Sequence, residues 1–389
     1  MILRTPHVVT PAIFLLMTSM CPRRANAQIV VSANDSKIVL VDGVQTTVRN
    51  PPADTVTIID LSVSPPKVLG EVKAPTSVVG PPQSVAISPD GSIALVTAAM
   101  KIDPGDPTKT IPDNKVTVID LKQTPPVVLA TLTAGGGASG VSINSAGTLA
   151  LVANRAEGTV SVFTIDGKRV SAAGKVDLGA PMSAPCHVVF TPDGKMALVT
   201  RNLDSLVSVL SIDGAKVEYT KRDIVAGLKP YGIEMTPSGD AAVVANIGAG
   251  ATGGADTVSV IDLSVIPPRA VNHLTVGPLP EGIALSADGR YVAVTVMNGS
   301  NTSKTSPLYN DFGILKILRL SNKTLTPVTE ARIGHWCQGA AWSRDGRALL
   351  VQCMVEKQIS VFNFDGRTLK PAGAISVSGG PAGIRAAPR

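Results

Sequence analysis

The fold is decided by the stretch VAISPDGSIALV, residues 85–96. Two alternating apolar runs flank its central turn, Ser88-Pro89-Asp90-Gly91. In such a turn Pro presets φ, Asp hydrogen-bonds back to the backbone and Gly accepts positive φ, so the chain reverses sharply. The stretch therefore predicts two neighbouring antiparallel strands.

The same block recurs along the chain. Six copies of the turn, spaced 45 to 57 residues apart, start at Ser88, Asn144, Thr191, Thr236, Ser286 and Ser343. An alternating run such as TVSVID recurs seven times, at residues 55–60, 116–120, 159–163, 206–210, 257–262, 313–318 and 358–362. A repeat of this length with four short strands is typical of a propeller blade. The sequence therefore predicts an all-β fold, a seven-bladed β-propeller of four-stranded antiparallel blades.

Such a ring can close in two ways. In the closure that we favour, residues 380–385 form the innermost strand of the first blade and residues 28–33 form its second strand. In the other, residues 28–33 are innermost and the C-terminus is a tail. Pairing of the two chain ends would hide sheet edges that otherwise invite association.

Composition limits the classes of function. Hydrophobic residues make up 44% of the 389 residues and charged residues only 16%, which suits many short buried strands. The formal net charge is +6, but Lys and Arg are spread along the chain and aromatic residues total 3%. A nucleic-acid site needs a basic stripe with stacking aromatics, so we expect no nucleic-acid partner. We expect a monomer with no transmembrane segment.

The N-terminal segment has the features of an export signal. Arg4 precedes an apolar stretch over residues 8–20, and Ala25-Asn26-Ala27 forms an A-x-A cleavage site. We therefore predict a signal peptide over residues 1–27, the propeller over residues 28–389 and a periplasmic location. Cys21 raises the alternative of a lipoprotein, although Met20 before it fits a lipobox poorly.

The candidate site lies where the innermost strands begin. Long segments around residues 42–54, 99–115, 247–256 and 297–312 lie on the same face, and loops on a rigid scaffold commonly carry function. The residues entering the inner strands predict a polar ring at the channel mouth: Gln83, Ser139, His187, Tyr231, Glu281 and Gln338, with His335 nearby. Such a ring could solvate a water-filled channel, bind a ligand or catalyse a reaction, and these alternatives stay open.

Three of the four cysteines follow the predicted signal. Cys337 and Cys353 are equidistant from Asp345, the centre of a turn, so antiparallel pairing would place them opposite each other and within reach of a disulfide. We predict that bond, with two buried thiols as the alternative, and we expect Cys186 to be free.

No motif for a metal or cofactor occurs in the sequence. Haem-attachment, paired Cys-x-x-Cys and His-Glu-x-x-His motifs are absent. The carboxylates between Asp103 and Asp113 lack the spacing of a calcium loop and are more typical of a solvated turn. We therefore predict neither a metal nor a cofactor.

The repeats resemble those of a known family. ALVT or ALVAN followed by TVSVID is similar to the YVTN-type repeats of the lactonase-like seven-bladed propellers, over nearly all of residues 28–389. Residues 185–194, PCHVVFTPDG, followed by RNLDS at 201–205, resemble the lactonase pattern P-R-H-x-x-F-x-P-x-G followed by N-E-L-x-S. His187 matches the family's histidine, whereas Cys186 stands in place of its Arg and Asn202 in place of its Glu.

The resemblance implies a hydrolase that acts on a lactone or a related small anionic substrate. In that hypothesis His187 is the general base, Arg201 holds the substrate anion and Glu281 assists catalysis. The substrate-binding residues would be Tyr231, Gln83, Gln338 and His335. The altered Arg and Glu positions favour an alternative, a periplasmic scaffold that binds a small molecule or a protein partner without chemistry. A third hypothesis is a propeller subunit of a periplasmic dehydrogenase system, because amine-dehydrogenase heavy chains have a similar design.

Overall fold

A computed structural model of the chain describes residues 1–2, 28–249 and 254–388, which contain thirty β-strands. In chain order they are β1 (Ile29–Asp35), β2 (Ile38–Val41), β3 (Val44–Thr47), β4 (Thr55–Asp60), β5 (Lys67–Lys73), β6 (Val85–Ile87), β7 (Ile93–Ile102), β8 (Thr110–Asp120), β9 (Val127–Thr133), β10 (Ala138–Ile143), β11 (Leu149–Asn154), β12 (Thr159–Asp166), β13 (Arg169–Asp177), β14 (Pro185–Phe190), β15 (Met196–Arg201), β16 (Leu206–Asp213), β17 (Lys216–Ile224), β18 (Pro230–Met235), β19 (Ala241–Asn246), β20 (Asp256–Asp262), β21 (Arg269–Gly277), β22 (Pro280–Leu285), β23 (Tyr291–Val296), β24 (Gly313–Ser321), β25 (Thr324–Ile333), β26 (Cys337–Trp342), β27 (Ala348–Cys353), β28 (Gln358–Phe364), β29 (Leu369–Ser376) and β30 (Gly380–Ala386). In these ranges no helix has the length and apolar character needed to cross a membrane. The predicted signal peptide lies outside the described residues, apart from its first two.

Seven of the eight sheets are the blades of a propeller. From the innermost to the outermost strand, blade 1 is β30-β1-β4-β5, and blades 2 to 7 are β6–β9, β10–β13, β14–β17, β18–β21, β22–β25 and β26–β29. Neighbouring inner strands contact each other around a closed ring, from β6 to β30 and back. The prediction of seven four-stranded antiparallel blades is confirmed.

The ring closes between the two ends of the propeller. Strand β30 pairs with β1, with Val31 opposite Arg385 and Ala33 opposite Gly383, and the other edge of β1 pairs with β4. The favoured closure is thus confirmed. The alternative is wrong, because the edge of β1 that faces the channel is hydrogen-bonded to the C-terminal strand.

The recurring turn joins the first and second strands of a blade and forms one face of the ring, here called the lower face. In blade 2 the Ser88 hydroxyl donates to Asp90 at 2.6 Å and accepts from the backbone N–H of Ile93 at 3.0 Å, while Gly91 has φ of 63°. Glycine adopts this positive φ without the steric cost of a Cβ. Ser343 makes the equivalent bonds in blade 7. The turn signature therefore records a local hydrogen-bond pattern.

The hydrophobic core lies between the blades. One cluster joins Leu151 and Val160 of blade 3 to Val188 and Leu210 of blade 4, all fully buried. Burying a side chain of this size contributes about 1.5–3 kcal/mol. Because each blade packs on two neighbours, the inner strands are held rigidly around the channel.

The upper face carries the long segments between second and third strands. The β2–β3 hairpin reaches from blade 1 to the loop of blade 6, where Asp42 accepts hydrogen bonds from the Ser303 hydroxyl and the Lys304 N–H, each at 3.0 Å. Beneath this contact lies an apolar cluster that includes Ile38, Met297 and Trp336. This cluster, here called the upper cover, lies on the blade 6 to blade 1 side of the upper channel mouth.

The strands of blade 7 place Cys337 opposite Cys353, and the two sulfurs are bonded. The disulfide lies at the upper end of the inner strand. Cys186 is a free, fully buried thiol.

Candidate functional site

A ring of side chains surrounds the upper mouth of the channel, and in five of the seven blades its member lies one residue inside the start of the inner strand. Three of these strands open with a proline opposite the last residue of the neighbouring second strand. This register puts Cys186, Tyr231 and Glu281 at one level of the channel. The sequence-based ring had His187 at this level, and the structure corrects it by one residue.

His187 lies one step deeper, where five other inner strands have glycine. These glycines are Gly140, Gly232, Gly282, Gly339 and Gly383. A Cβ on Gly140 would lie 2.6 Å from the His187 ring. The imidazole therefore occupies space that only a glycine on the neighbouring strand leaves open.

The geometry does not support the general-base role expected for His187. Its side chain is fully buried, its Nδ1 accepts the Ile233 N–H at 3.4 Å, and its Nε2 has no partner within the described chain. Burial, reinforced by the charge of Arg385, lowers the pKa of His187 to about 3. An imidazole with so low a pKa is a weak proton acceptor near neutral pH.

Four side chains lie near one another at the ring level and influence one another's protonation: Arg155, Cys186, Tyr231 and Glu281. Arg155 comes from the end of the second strand of blade 3, and its Nη1 donates to Cys186 Sγ. Its guanidinium carbon lies 5.8 Å from the centre of the Tyr231 ring, and its positive charge acts on the Glu281 carboxyl. We call this group the upper cluster.

Burial controls the protonation of the upper cluster. It raises the pKa of Glu281 to about 7, although Arg155 and the Tyr231 hydroxyl both favour the carboxylate. It raises the pKa of Cys186 to about 11 and that of Tyr231 well above 10. At neutral pH, Glu281 is therefore divided between acid and base, whereas Cys186 is a neutral thiol and does not act as a thiolate nucleophile.

Arg201, expected to hold a substrate anion, points into its own blade. It occupies the register position of Asn154 and Asn246, whose amides donate to hydroxyls of the third strand. Arg201 likewise donates to Ser208 at 3.2 Å, and it pairs with Asp204 and Asp223. Its charge is therefore already neutralised away from the channel, and the structure does not bring it to the upper cluster.

The other expected binding residues are divided between two places. Gln83 reaches from blade 2 to blade 6, where its Nε2 donates to the Ile283 carbonyl at 3.0 Å. Its Oε1 and the Oε1 of Gln338 are buried without a partner in the described chain. His335 instead lies among the upper loops, with Nδ1 2.7 Å from Glu356 and Nε2 3.0 Å from Asp311. These two carboxylates outweigh burial and raise the pKa of His335.

A segment between blades 1 and 2, residues 76–82, covers the upper cluster. The Gly80 backbone lies close enough to the Tyr231 hydroxyl to lower its pKa, and a Cβ on Gly80 would lie 2.2 Å from the Ser139 hydroxyl. The base of the segment is held by Lys37, which donates to the Thr76 carbonyl at 2.8 Å, and by Asp35, which accepts the Val78 N–H at 2.8 Å. A ligand would have to displace this segment to reach Glu281.

Sequence reasoning missed Arg155. The signal was available in the repeats, because Arg155 directly follows the ALVAN motif at the position that Asn202 occupies in the next blade. Side chains at this position point towards the neighbouring inner strand: the Asn202 amide donates to the Lys229 carbonyl at 3.3 Å. Aligning the blades by strand register would have found it.

The upper cluster combines a cation, a carboxyl group that titrates near neutrality and a phenol. These groups can bind an anion and transfer a proton. In the part of the chain that the structure describes, no group of three or more His, Cys, Asp or Glu residues is placed to hold a metal ion.

Comparison with known proteins identifies the fold. The sequence matches no protein-family model and no curated protein. A Bacteroides uniformis protein provisionally assigned as a 6-phosphogluconolactonase is similar in structure, with a TM-score of 0.70 and 16% identity over 93% of this chain and 100% of that one. The periplasmic gluconolactonase of Pseudomonas aeruginosa gives a TM-score of 0.66 and 17% identity over 92% and 99% of the two chains. Kuenenia stuttgartiensis hydrazine synthase gives 0.62 and 17% over 82% and 92%. The chain thus has a lactonase-like propeller fold, which proteins of different activity share.

Proposed function

We propose that the protein is a hydrolase that opens a small anionic lactone or a related ester at the upper cluster. The observation that carries the proposal is Glu281, a buried carboxyl group with a pKa of about 7, on which the positive charge of Arg155 acts. A general base works best when its pKa is close to the operating pH. Glu281 takes the role that the sequence suggested for His187, and Arg155 takes the role suggested for Arg201.

In the proposed reaction the Glu281 carboxylate accepts a proton from water as the water oxygen attacks the lactone carbonyl. Arg155 stabilises the negative charge that develops on the carbonyl oxygen or holds an anionic substituent of the substrate. The ring C–O bond then breaks, and protonated Glu281 returns its proton to the leaving alkoxide, so the product is a hydroxy acid. Tyr231, which remains a neutral phenol, donates a hydrogen bond to the leaving alkoxide oxygen.

The ring also offers groups that could hold substrate hydroxyls. The side-chain oxygens of Gln83, Gln338 and Ser139 are buried at the same level as Glu281 and have no hydrogen-bond partner among the described residues. A buried polar atom without a hydrogen-bond partner destabilises the folded protein by about 1–3 kcal/mol, and a ligand hydroxyl that bonds to it would restore that free energy. We therefore propose a polyhydroxylated substrate.

The test is hydrolysis of a panel of anionic and neutral aldonolactones by the wild type and two variants, Glu281→Gln and Arg155→Met. We expect both variants to lose most activity, and Arg155→Met to lose more on anionic than on neutral substrates. Glu218→Gln and Arg222→Met make the same side-chain changes at exposed positions on the outer strand of blade 4 and should not affect the rate. Equal activity of the wild type and Glu281→Gln on every substrate would contradict the proposal.

A second candidate is a propeller that binds a small molecule without chemistry. It is favoured by the burial of the upper cluster under residues 76–82, since Glu281 and Tyr231 are only 9% and 6% exposed. Such a protein would give a ligand-dependent rise in Tm that requires Arg155, with no turnover of the ligand.

We also propose that the protein is exported to the periplasm as a monomer, with cleavage after Ala27. The similarity to a periplasmic gluconolactonase and the A-x-A motif support this location. Mass spectrometry of the periplasmic fraction should find a mature protein that begins at Gln28, and sedimentation should give the mass of one chain. Recovery of the full-length chain from the cytoplasm alone would refute the export proposal.

A further inference from the structure

The lower mouth of the channel contains an open cavity of about 350 Å³. It lies at the ends of the inner strands, so the whole depth of the channel separates it from the upper cluster. Its volume is at the lower end of the range for small-molecule sites, about 300–1,000 Å³. We call it the lower cavity.

The lower cavity exists because the side chains that the inner strands carry at one level of the channel differ in size. Blade 5 has Glu234 at this level and blade 1 has Arg385, whereas the two blades between them have Ala284 and Ala341. Arg385 Nη1 donates to Glu234 Oε1, so this ion pair crosses the channel between blades that are not neighbours. The two alanines leave the space beside the pair empty.

The charges that line the lower cavity favour an anion. Arg385 makes one ion pair, through Nη1, and no acceptor among the described residues contacts its other guanidinium N–H groups. Arg344 lies at the rim, and its side chain has no hydrogen-bond partner in residues 28–249 and 254–388. Among the described residues that line the cavity there are therefore two cations and one carboxylate, Glu234, whose side chain is 10% exposed.

The remaining walls are apolar and rigid. Trp342 donates its indole N–H to the Ala284 carbonyl at 3.1 Å, and Met235 and Leu285 also line the cavity. Gln28 is the first residue of the propeller. Its side-chain Nε2 donates to the Trp342 carbonyl at 3.2 Å, and its Oε1 accepts from the Arg344 N–H at 2.7 Å. The cavity therefore offers a preformed apolar surface beside guanidinium N–H groups that no acceptor in the described ranges contacts.

We propose that the lower cavity is a second binding site, specific for a small monocarboxylate with a compact apolar body. The carboxylate would accept hydrogen bonds from Arg385 and Arg344, and the hydrocarbon would pack against Trp342 and Leu285. Charge-assisted hydrogen bonds of this kind are the strong ones, because the acceptor is ionised. This site is independent of the proposed hydrolase activity, since it shares no residue with the upper cluster.

The two tryptophans provide the assay, because Trp342 lines the lower cavity and Trp336 lies in the upper cover. In the Trp336→Phe variant we would titrate hexanoate, hexanol and hexylamine and follow the fluorescence of Trp342. We expect saturable binding of hexanoate, with binding of hexanol and hexylamine at least about ten-fold weaker, because only the carboxylate accepts charge-assisted hydrogen bonds from the two guanidinium groups.

Three variants locate the site. Arg344→Ala changes an exposed rim residue and should weaken the binding of hexanoate by about ten-fold. The double variant Glu234→Gln with Arg385→Gln should weaken binding further, and it leaves no lone buried charge. Ala287→Phe, on the turn at the edge of the cavity, should abolish binding, whereas Ala146→Phe on the corresponding turn of blade 3 should not. Arg155→Met should leave the hexanoate affinity unchanged.

Three results would overturn the proposal. They are the absence of a saturable signal with hexanoate, binding of hexanol as tight as that of hexanoate, and equal hexanoate affinity of Ala287→Phe and Ala146→Phe. None of these results bears on lactone hydrolysis, which is measured separately with the Glu281 and Arg155 variants.

Discussion

Replacement of Glu281 by Gln should make the protein more stable at alkaline pH. Burial raises the pKa of this carboxyl group from 4.5 to about 7. Between these pH values the folded protein keeps a proton that the unfolded chain has lost, so stability falls as the pH rises through the window. At about 1.4 kcal/mol for each pH unit between the two values, the ionised carboxylate destabilises the fold by about 3 kcal/mol above pH 7.

Glutamine has the shape of the protonated acid and does not ionise. We therefore expect Glu281→Gln to match the wild type at about pH 4 and to exceed it by about 3 kcal/mol at about pH 8, the full difference given by the linkage relation. Urea unfolding over this pH range measures the free energy of unfolding of each protein. The exposed variant Glu218→Gln, on the outer strand of blade 4, should follow the wild type at every pH.

Parallel pH profiles for wild type and Glu281→Gln would refute the reasoning. They would mean that Glu281 titrates as it does in the unfolded chain, and the argument for a base poised near neutrality would fail with it. If the difference appears, the variant should be both more stable and less active, as expected when a buried charge is kept for function.

Three further predictions concern the scaffold. Gly140→Ala should destabilise the fold by about 1–3 kcal/mol, because the new Cβ would lie 2.6 Å from the His187 ring and 2.7 Å from a backbone carbonyl oxygen, and urea unfolding against the open position Gly105→Ala measures it. Removal of the disulfide by the double change to Ala of Cys337 and Cys353 should cost about 3 kcal/mol, the value for a closed loop of this length, as measured by the urea midpoint. Arg201→Met should lower the Tm through loss of its two carboxylate partners, while the specificity for anionic over neutral lactones, measured by kcat/KM, stays the same.

Each of these three predictions has its own contradicting result. Equal stability of the alanine variants at positions 140 and 105 would show that the inner strands shift to accept a methyl group. An unchanged urea midpoint without the disulfide would show that this bond restricts the unfolded chain very little. A selective loss of anionic substrates in Arg201→Met would return Arg201 to the site.

The architecture of the protein could be predicted from local chemistry. The Ser-x-Asp-Gly turns and the alternating runs act over a few residues, so the structure reproduces them blade by blade, including the turn bonds of Ser88 and Ser343. Ring closure through β30 also followed, because an inner strand without a blade behind it needs an edge to pair with.

The candidate site could be predicted only in part. Tyr231 and Glu281 lie at the expected ring level, but His187 comes one residue after the ring position, which Cys186 occupies, and Arg201 was taken for a channel residue. Both errors concern side-chain direction, which reverses with each step along a strand. A family motif gives the order of residues and leaves open which face of the blade each one occupies.

The sequence by itself thus determined the repeat, the number of blades and the antiparallel pairing, because each depends on turns and strands that are local in the chain. Only the tertiary structure decided that the charge of Arg155 acts on Glu281 and that Arg385 crosses the channel to Glu234, because these residues come from blades far apart in the sequence. It also decided the pKa of Glu281, since burial depends on the whole closed ring.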